Sequence, residues 1–365
     1  MSDIAFTPSF GNRPTRLVGR DQIVRDFINA LGSRPGSKNR ALVILGQRGN
    51  GKTVLLWEFA DRAREHGFVV ATPTSVREGL LERIVEKISD DNSSVLRESN
   101  IRVSGGSVGA LGISASLQLD RNDKDMSAEH KLTKLCRKLT DRGLGILILV
   151  DELQANSPET RALVGTYQEL VGEGLNVAIV LAGLPACVSN VLNDRVLTFL
   201  NRARKINLGP IAIGEVDAFF RQAFRSAGVS VSSDIRYAAA KASKGSPYLM
   251  QLIGHYLCLY AEDAPVNESV LHEALESSRE EFQNDVCSTT LAALSQVDIS
   301  FLHAMAELGG SCRTREIASR MEVTPDYAQQ YRKRLIDAGV IVSPARGLLR
   351  IDVPNLTEYL IHSFE

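Results

Sequence analysis

The stretch Gly46-Gln47-Arg48-Gly49-Asn50-Gly51-Lys52-Thr53 fits the pattern G-x-x-x-x-G-K-[ST] and sits between two different kinds of apolar segment. Before it, Ala41-Leu-Val-Ile-Leu45 has the length and β-branched content of a buried parallel strand. After it, Val54 to Ala63 has its apolar residues at helical spacing. Strand, glycine loop and helix together make a phosphate cradle. Glycines at 46, 49 and 51 let the backbone fold closely enough for successive N–H groups to surround an anion at the positive end of the helix dipole. Lys52 brings a mobile positive charge to the β- and γ-phosphates, and the Thr53 hydroxyl can ligate Mg²⁺. The candidate contact set is Gly46, Gln47, Arg48, Gly49, Asn50, Gly51, Lys52, Thr53 and Val54.

A parallel strand needs neighbours, and the sequence supplies them. Gly67 to Ala71, Gly145 to Val150, Asn176 to Ala182 and Arg204 to Leu208 are further apolar runs, separated by helical patterns and never by a two-residue hairpin. The expected fold is therefore α/β, with a parallel sheet covered on both faces. Helices are expected over 76–88, from Ser127 to Leu139 and from Pro158 to Leu170. Between them, a Gly/Ser-rich stretch of about 100–120 reads as an inserted β-hairpin or a loop. At 365 residues the chain is long enough for more than one domain. The expected division is a nucleotide core at 1–210, a helical lid at 211–290 and a C-terminal module at 291–365. In the last, helices near 298–308, 313–321 and 325–338 precede two short strands within 339–351, the order of a winged helix-turn-helix.

Asp151 and Glu152 follow Gly145-Ile-Leu-Ile-Leu-Val150. The end of such a strand faces the phosphate loop, so Asp151 can hold Mg²⁺ and its water shell while Glu152 orients or deprotonates an attacking water. The expected cofactors are ATP and Mg²⁺.

These pieces resemble the AAA+ ATPases, in particular the branch of initiator-like and transposon-associated ATPases. The chain is also similar to the STAND signalling ATPases. The resemblance rests on Val18-Gly-Arg20, the P-loop, Val150-Asp-Glu152, an arginine pair before the last strand and Gly245-Ser-Pro247. It implies that Val18 and Gly19 border the adenine, helix-start packing being the other reading. It further implies that Arg202 or Arg204 is an arginine finger reaching the γ-phosphate of a neighbouring copy, in which case hydrolysis needs a homo-oligomer; ordinary surface arginines are the alternative. Pro247 matches the STAND pattern, where the proline packs on adenine. Two departures point to slow hydrolysis: Ala182-Gly-Leu-Pro185 lacks the polar sensor residue, and the lid has no arginine near 246–248.

The net charge of −1 gives no global reason to expect nucleic acid. Locally, residues 312–350 carry eight arginines and lysines against four acids, a balance of +4. Thr324-Pro325 starts the helix that would be the recognition helix. On its outer face Gln329, Gln330, Lys333 and Arg334 could meet double-stranded DNA, with Tyr327, Tyr331 and Leu335 packing inward and Arg346 at the wing tip. A winged helix that makes protein contacts instead is the alternative.

The five cysteines are odd in number and never in C-x-x-C spacing, which argues for small buried hydrophobes over disulfides or zinc. No apolar run approaches the roughly 20 residues of a membrane helix. The first residues lack a basic segment followed by an apolar core, so a cytoplasmic location is expected.

Overall fold

The computed structural model describes residues 6–8, 16–47, 49–103, 126–154, 157–185, 188, 198–261 and 264–363. Its sheet is wholly parallel, in the order β2-β3-β4-β1-β5, with β1 Ala41–Leu45, β2 Phe68–Ser75, β3 Gly145–Asp151, β4 Val177–Gly183 and β5 Arg204–Asn207. Every residue of β3 and β4 is buried, as both faces are covered. On one side lie α1 Asp21–Leu31 and α2 Lys52–Glu65, packed on Leu42, Ile44, Leu147 and Val180. On the other lie α3 Leu80–Val103, α4 Ala128–Thr140 and α5 Pro158–Gly172, packed on Val43, Ile146, Ile148 and Ile179. Alternate residues of a strand point to opposite faces, so each strand divides its side chains between the two layers. Ser127 and Ser157 cap α4 and α5 by accepting the His130 and Thr160 amides.

Two expectations change here. Strand β2 continues to Ser75, its edge following β3 down to the pair Ser75 and Asp151. Helix α3 then starts at Leu80 and runs to Val103, so the first residues of the expected inserted hairpin are helical; 104–120 lie outside the described residues.

The lid helices are α6 Ile213–Ala227, α7 Ser233–Ala242, α8 Pro247–Tyr260 and α9 Glu268–Phe282. A π-helical segment, Gln283–Ser288, carries α9 into α10 Thr289–Ala292. The C-terminal module follows as α11 Gln296–Glu307, β6 Ser311–Arg313, α12 Thr314–Arg320, α13 Pro325–Asp337, β7 Ile341–Ala345, β8 Leu348–Ile351 and α14 Leu356–Ser363. Its sheet is antiparallel, in the order β6-β8-β7, so β6 adds a third strand to the expected pair. One apolar cluster runs without a break from Phe219, Phe220 and Leu252 of the lid through Phe282 and Phe301 to Leu335 and Leu349. Lid and C-terminal module thus share a core, while the sheet has its own two layers.

Candidate functional site

The loop between β1 and α2 is built as its glycines require. Gly49 and Gly51 have φ of +78° and +79°, a region that costs L side chains about 1 kcal/mol or more. A methyl group on Gly46 would stand 3.3 Å from Leu208 Cβ, so that position is crowded. Gly51 is the N-cap of α2 and offers no side-chain acceptor, unlike Ser127 or Ser157, leaving the first-turn amides to meet an anion. Lys52 Nζ lies within this cradle and donates to the carbonyls of Gly46 and Gln47 at 2.9 and 2.8 Å. Asn50 Nδ2 donates 2.8 Å to Leu208 O, pinning the loop to the end of β5. Val54 is half-buried on the first turn of α2. Arg48 lies outside the described residues.

Thr53 Oγ1 donates a 2.6 Å hydrogen bond to Asp151 Oδ2, joining the start of α2 to the end of β3. The other carboxylate oxygen accepts the Glu152 amide at 2.9 Å. A hydroxyl and a carboxylate oxygen at this separation are a hard-cation donor pair suited to Mg²⁺. Glu152 is exposed and has φ of +53°, an unfavourable backbone for a non-glycine residue and one that concentrates at functional turns. Immediately after it, Leu153 N donates to Ala182 O at 2.8 Å. At the tip of β4, the neighbour of both β1 and β3, Gly183 and Leu184 present no polar side chain, and a methyl on Gly183 would lie 3.0 Å from Leu153 Cβ. The residues present therefore fit a nucleotide triphosphate and Mg²⁺, without a sensor side chain at this strand end.

The lid closes over the loop. Gly245 has φ of +72°, with no room for a side chain against Ile211 O, and Ser246 caps α8 by accepting the Leu249 amide. This turn sets Pro247 and Tyr248 over the P-loop: a methyl on Gly51 would lie 3.9 Å from Pro247 Cγ, and one on Gly49 3.7 Å from Tyr248 Cβ. Tyr248 donates its hydroxyl to Asp285 of the π-helical segment, and burial, with that carboxylate second, holds its pKa above the usual tyrosine range. Val18 is buried in the lid cluster, and a methyl on Gly19 would meet Glu215 Oε2 at 2.8 Å. Arg20, its pKa lowered by burial against the opposing effect of Glu215, donates 2.5 Å to Gly209 O. The Val18-Gly-Arg20 segment therefore bridges the core and the first lid helix. The packing expected of a helix start is what these contacts show, with Val18 and Gly19 set against the lid.

The two candidate finger residues differ. Arg204 on β5 is ion-paired with Asp26 of α1 at 2.8 Å, whereas Arg202 is exposed and has no ion-pair partner among the described residues. In the C-terminal module Gln329, Gln330, Lys333 and Arg334 are exposed on α13, and Arg346 is exposed between β7 and β8. Arg334 is committed elsewhere: it pairs at 2.8 Å with Asp298, whose side chain is 1% exposed. Arg320 and Arg350 pair likewise with Glu307 and Asp352, so acids just outside 312–350 offset part of the local excess. Tyr327 does not pack inward as expected. The buried stripe of α13 is Ala328 and Leu335, seven residues apart on one face, and Tyr327 points out, its ring 4.9 Å from that of Tyr331.

Asp285, which accepts the Tyr248 hydroxyl, escaped sequence reasoning, as did the position of Tyr248 over Gly49; these contacts join distant parts of the chain and belong to no local pattern.

A five-stranded parallel sheet with the P-loop after β1 and acids after β3 is the fold of a P-loop NTPase of AAA+ type. Residues 16–180 match the AAA ATPase domain, and residues 284–360 match a domain of unknown function, DUF8462. The comparison with curated proteins found no match. Among solved structures, the chain is similar to the Walker-type ATPase of Pyrococcus abyssi, with a TM-score of 0.70 and 16% identity over 97% of this chain and 99% of that one. It is also similar to the Aeropyrum pernix ORC2 protein in its ADPNP-ADP complexes, with a TM-score of 0.63 and 18% identity over 99% of this chain and 98% of that one. The Cdc6p protein of Pyrobaculum aerophilum gives 0.51 and 17% over 99% and 98%.

Proposed function

We propose that the protein binds and slowly hydrolyses ATP with Mg²⁺, and that its nucleotide state governs binding of double-stranded DNA by a C-terminal winged helix. The observation that carries the nucleotide part is the 2.6 Å bond between Thr53 and Asp151 beside a glycine loop with its lysine in the cradle. Bound ATP and Mg²⁺ would supply the phosphoanhydride bond to be cleaved and the divalent charge that neutralises its phosphates. Lys52 and the loop amides hold the phosphates, Thr53 and Asp151 hold the metal, and Glu152 accepts the proton of the attacking water. Val18, Gly19 and Pro247 border the base.

Arg202, exposed and without an ion-pair partner among the described residues, is the better finger for a neighbouring copy, and that role requires a homo-oligomer. The apolar end of β4 supports slow turnover, well below the roughly 10 per second typical of enzymes. On the DNA side, Gln329, Gln330 and Lys333 serve as the base and phosphate contacts of α13 and Arg346 as that of the wing; Arg334 holds the module together. The four buried free thiols among the described residues suit the reducing environment of a cytoplasmic protein.

The test is steady-state ATP turnover together with sizing of the protein with and without ATP and DNA. Glu152→Gln should abolish turnover while retaining ATP. A variant that turns over at the parental rate would overturn the assigned role. A second reading, a STAND-like signalling ATPase whose winged helix makes intramolecular contacts, is favoured by the core shared between lid and C-terminal module. The two readings part at Lys333→Ala, which should weaken DNA binding and lower its salt slope by about 1 only if α13 contacts DNA.

A further inference from the structure

The C-terminal module touches the phosphate loop itself. Gly339, which follows Ala338, the C-cap of α13, is buried, and a methyl group on it would fall 2.4 Å from Gln47 Oε1. Its φ of +69° and the Val340 amide bonded to Leu335 O at 3.0 Å make it the left-handed residue that closes a helix. Asparagine also tolerates that conformation, so backbone geometry alone does not require glycine here. A β-carbon there would also displace the flexible end of the Gln47 side chain. Beside the contact is a cavity of about 100 Å³, bounded by Gln47 and Leu184 from the core, Val286 and Thr290 from the connecting helices, and Val340 and Val353 from the C-terminal module.

On the other side of the same residue, Lys52 Nζ donates 2.8 Å to the Gln47 carbonyl. Phosphate oxygens compete for the same ammonium protons, and a group that carries full charge is the stronger acceptor. Phosphate binding and the docking of the C-terminal module therefore act on one residue, from its backbone and from its side-chain end.

We infer that Gln47 couples the nucleotide site to the C-terminal module: when Lys52 turns to a triphosphate, Gln47 shifts into the adjoining cavity and its grip on Gly339 loosens. This rests on the ATP reading above. It adds the contact through which nucleotide state reaches α13, whose exposed Lys333 and Arg334 lie within two turns of Gly339. Coupling of this kind is reciprocal, so loosening the contact by mutation strengthens triphosphate binding.

The test uses the full chain and a non-hydrolysable ATP analogue with Mg²⁺. Hydrogen exchange over 338–341 should speed up on analogue binding. Gly339→Asn, which keeps the left-handed turn and pushes on the flexible end of Gln47, should give the faster exchange without nucleotide and tighten analogue binding about fivefold or more. In a Gln47→Ala background the same change at 339 should have little further effect, because the atom it meets is gone. Gln47→Ala alone leaves the C-terminal sequence intact and reads the contact even if the 339 variant fails to fold. Analogue binding with unchanged exchange over 338–341 would overturn the coupling while leaving the ATP reading intact. Equal effects of Gly339→Asn in both backgrounds would overturn it too. If the analogue does not bind the parent protein, the ATP reading fails and the coupling with it.

Discussion

At the scale of single residues, the candidate site is a small set of short contacts with separable roles. Thr53→Ala removes the hydroxyl bonded to Asp151 and should lower Mg²⁺-dependent turnover roughly 100-fold, measured by phosphate release, with the fold intact by circular dichroism. The thiols give an independent check on burial. Burial pushes Cys136, Cys258 and Cys287 up to about 12 and Cys312 to about 11, from an ordinary 9.0. A thiol harder to ionise in the folded state binds its proton more tightly there, so stability is unaffected well below 9.0 and falls as pH rises above it. At pH 8 an aromatic disulfide reagent should leave these four unmodified until denaturant is added; Cys187 lies outside the described residues. Rapid labelling of all four would contradict the packing.

At the scale of elements, α13 shows how far a helical pattern can be read. Its cap, Thr324, and first residue, Pro325, were legible because they are local chemistry. Its inward face was only partly so. Leu335 is buried, but Tyr327 is exposed, because the covered face is set by α11 and α12 and not by hydrophobicity alone. Arg334, expected to meet DNA, is paired with Asp298, which also caps α11 through Ser295. Removing Arg334 leaves a buried carboxylate short of its positive partner, but Arg334 itself is more than half exposed, so Arg334→Ala should cost about 1–2 kcal/mol, read by urea unfolding. Lys333→Ala should leave stability within about 0.5 kcal/mol, as for other exposed substitutions, and is therefore the cleaner probe of DNA binding.

At the scale of the whole molecule, the lid and C-terminal module form one packed body around a shared core, and that body meets the sheet domain at the phosphate loop. A ligand held between them stabilises the folded chain by mass action. At 100 times its dissociation constant, ATP with Mg²⁺ should add about 2.7 kcal/mol, seen as a rise in melting temperature. Lys52→Ala should abolish that rise, since Lys52 donates to the loop carbonyls at the proposed phosphate position. A nucleotide-independent melting temperature in the parent protein would argue against the site.

The sequence by itself determined the parallel sheet, the P-loop between β1 and α2, and the acids at the end of β3. Each of these is written in a continuous run of residues whose spacing follows backbone geometry. It also carried the missing polar residue at the end of β4, since absence of a side chain is visible anywhere. Tertiary structure alone decided that Arg204 is tied to Asp26, that Tyr248 lies over Gly49, and that Gly339 abuts Gln47. Those contacts join segments far apart in the chain, and no local periodicity encodes which distant surface fills the space beside a given residue.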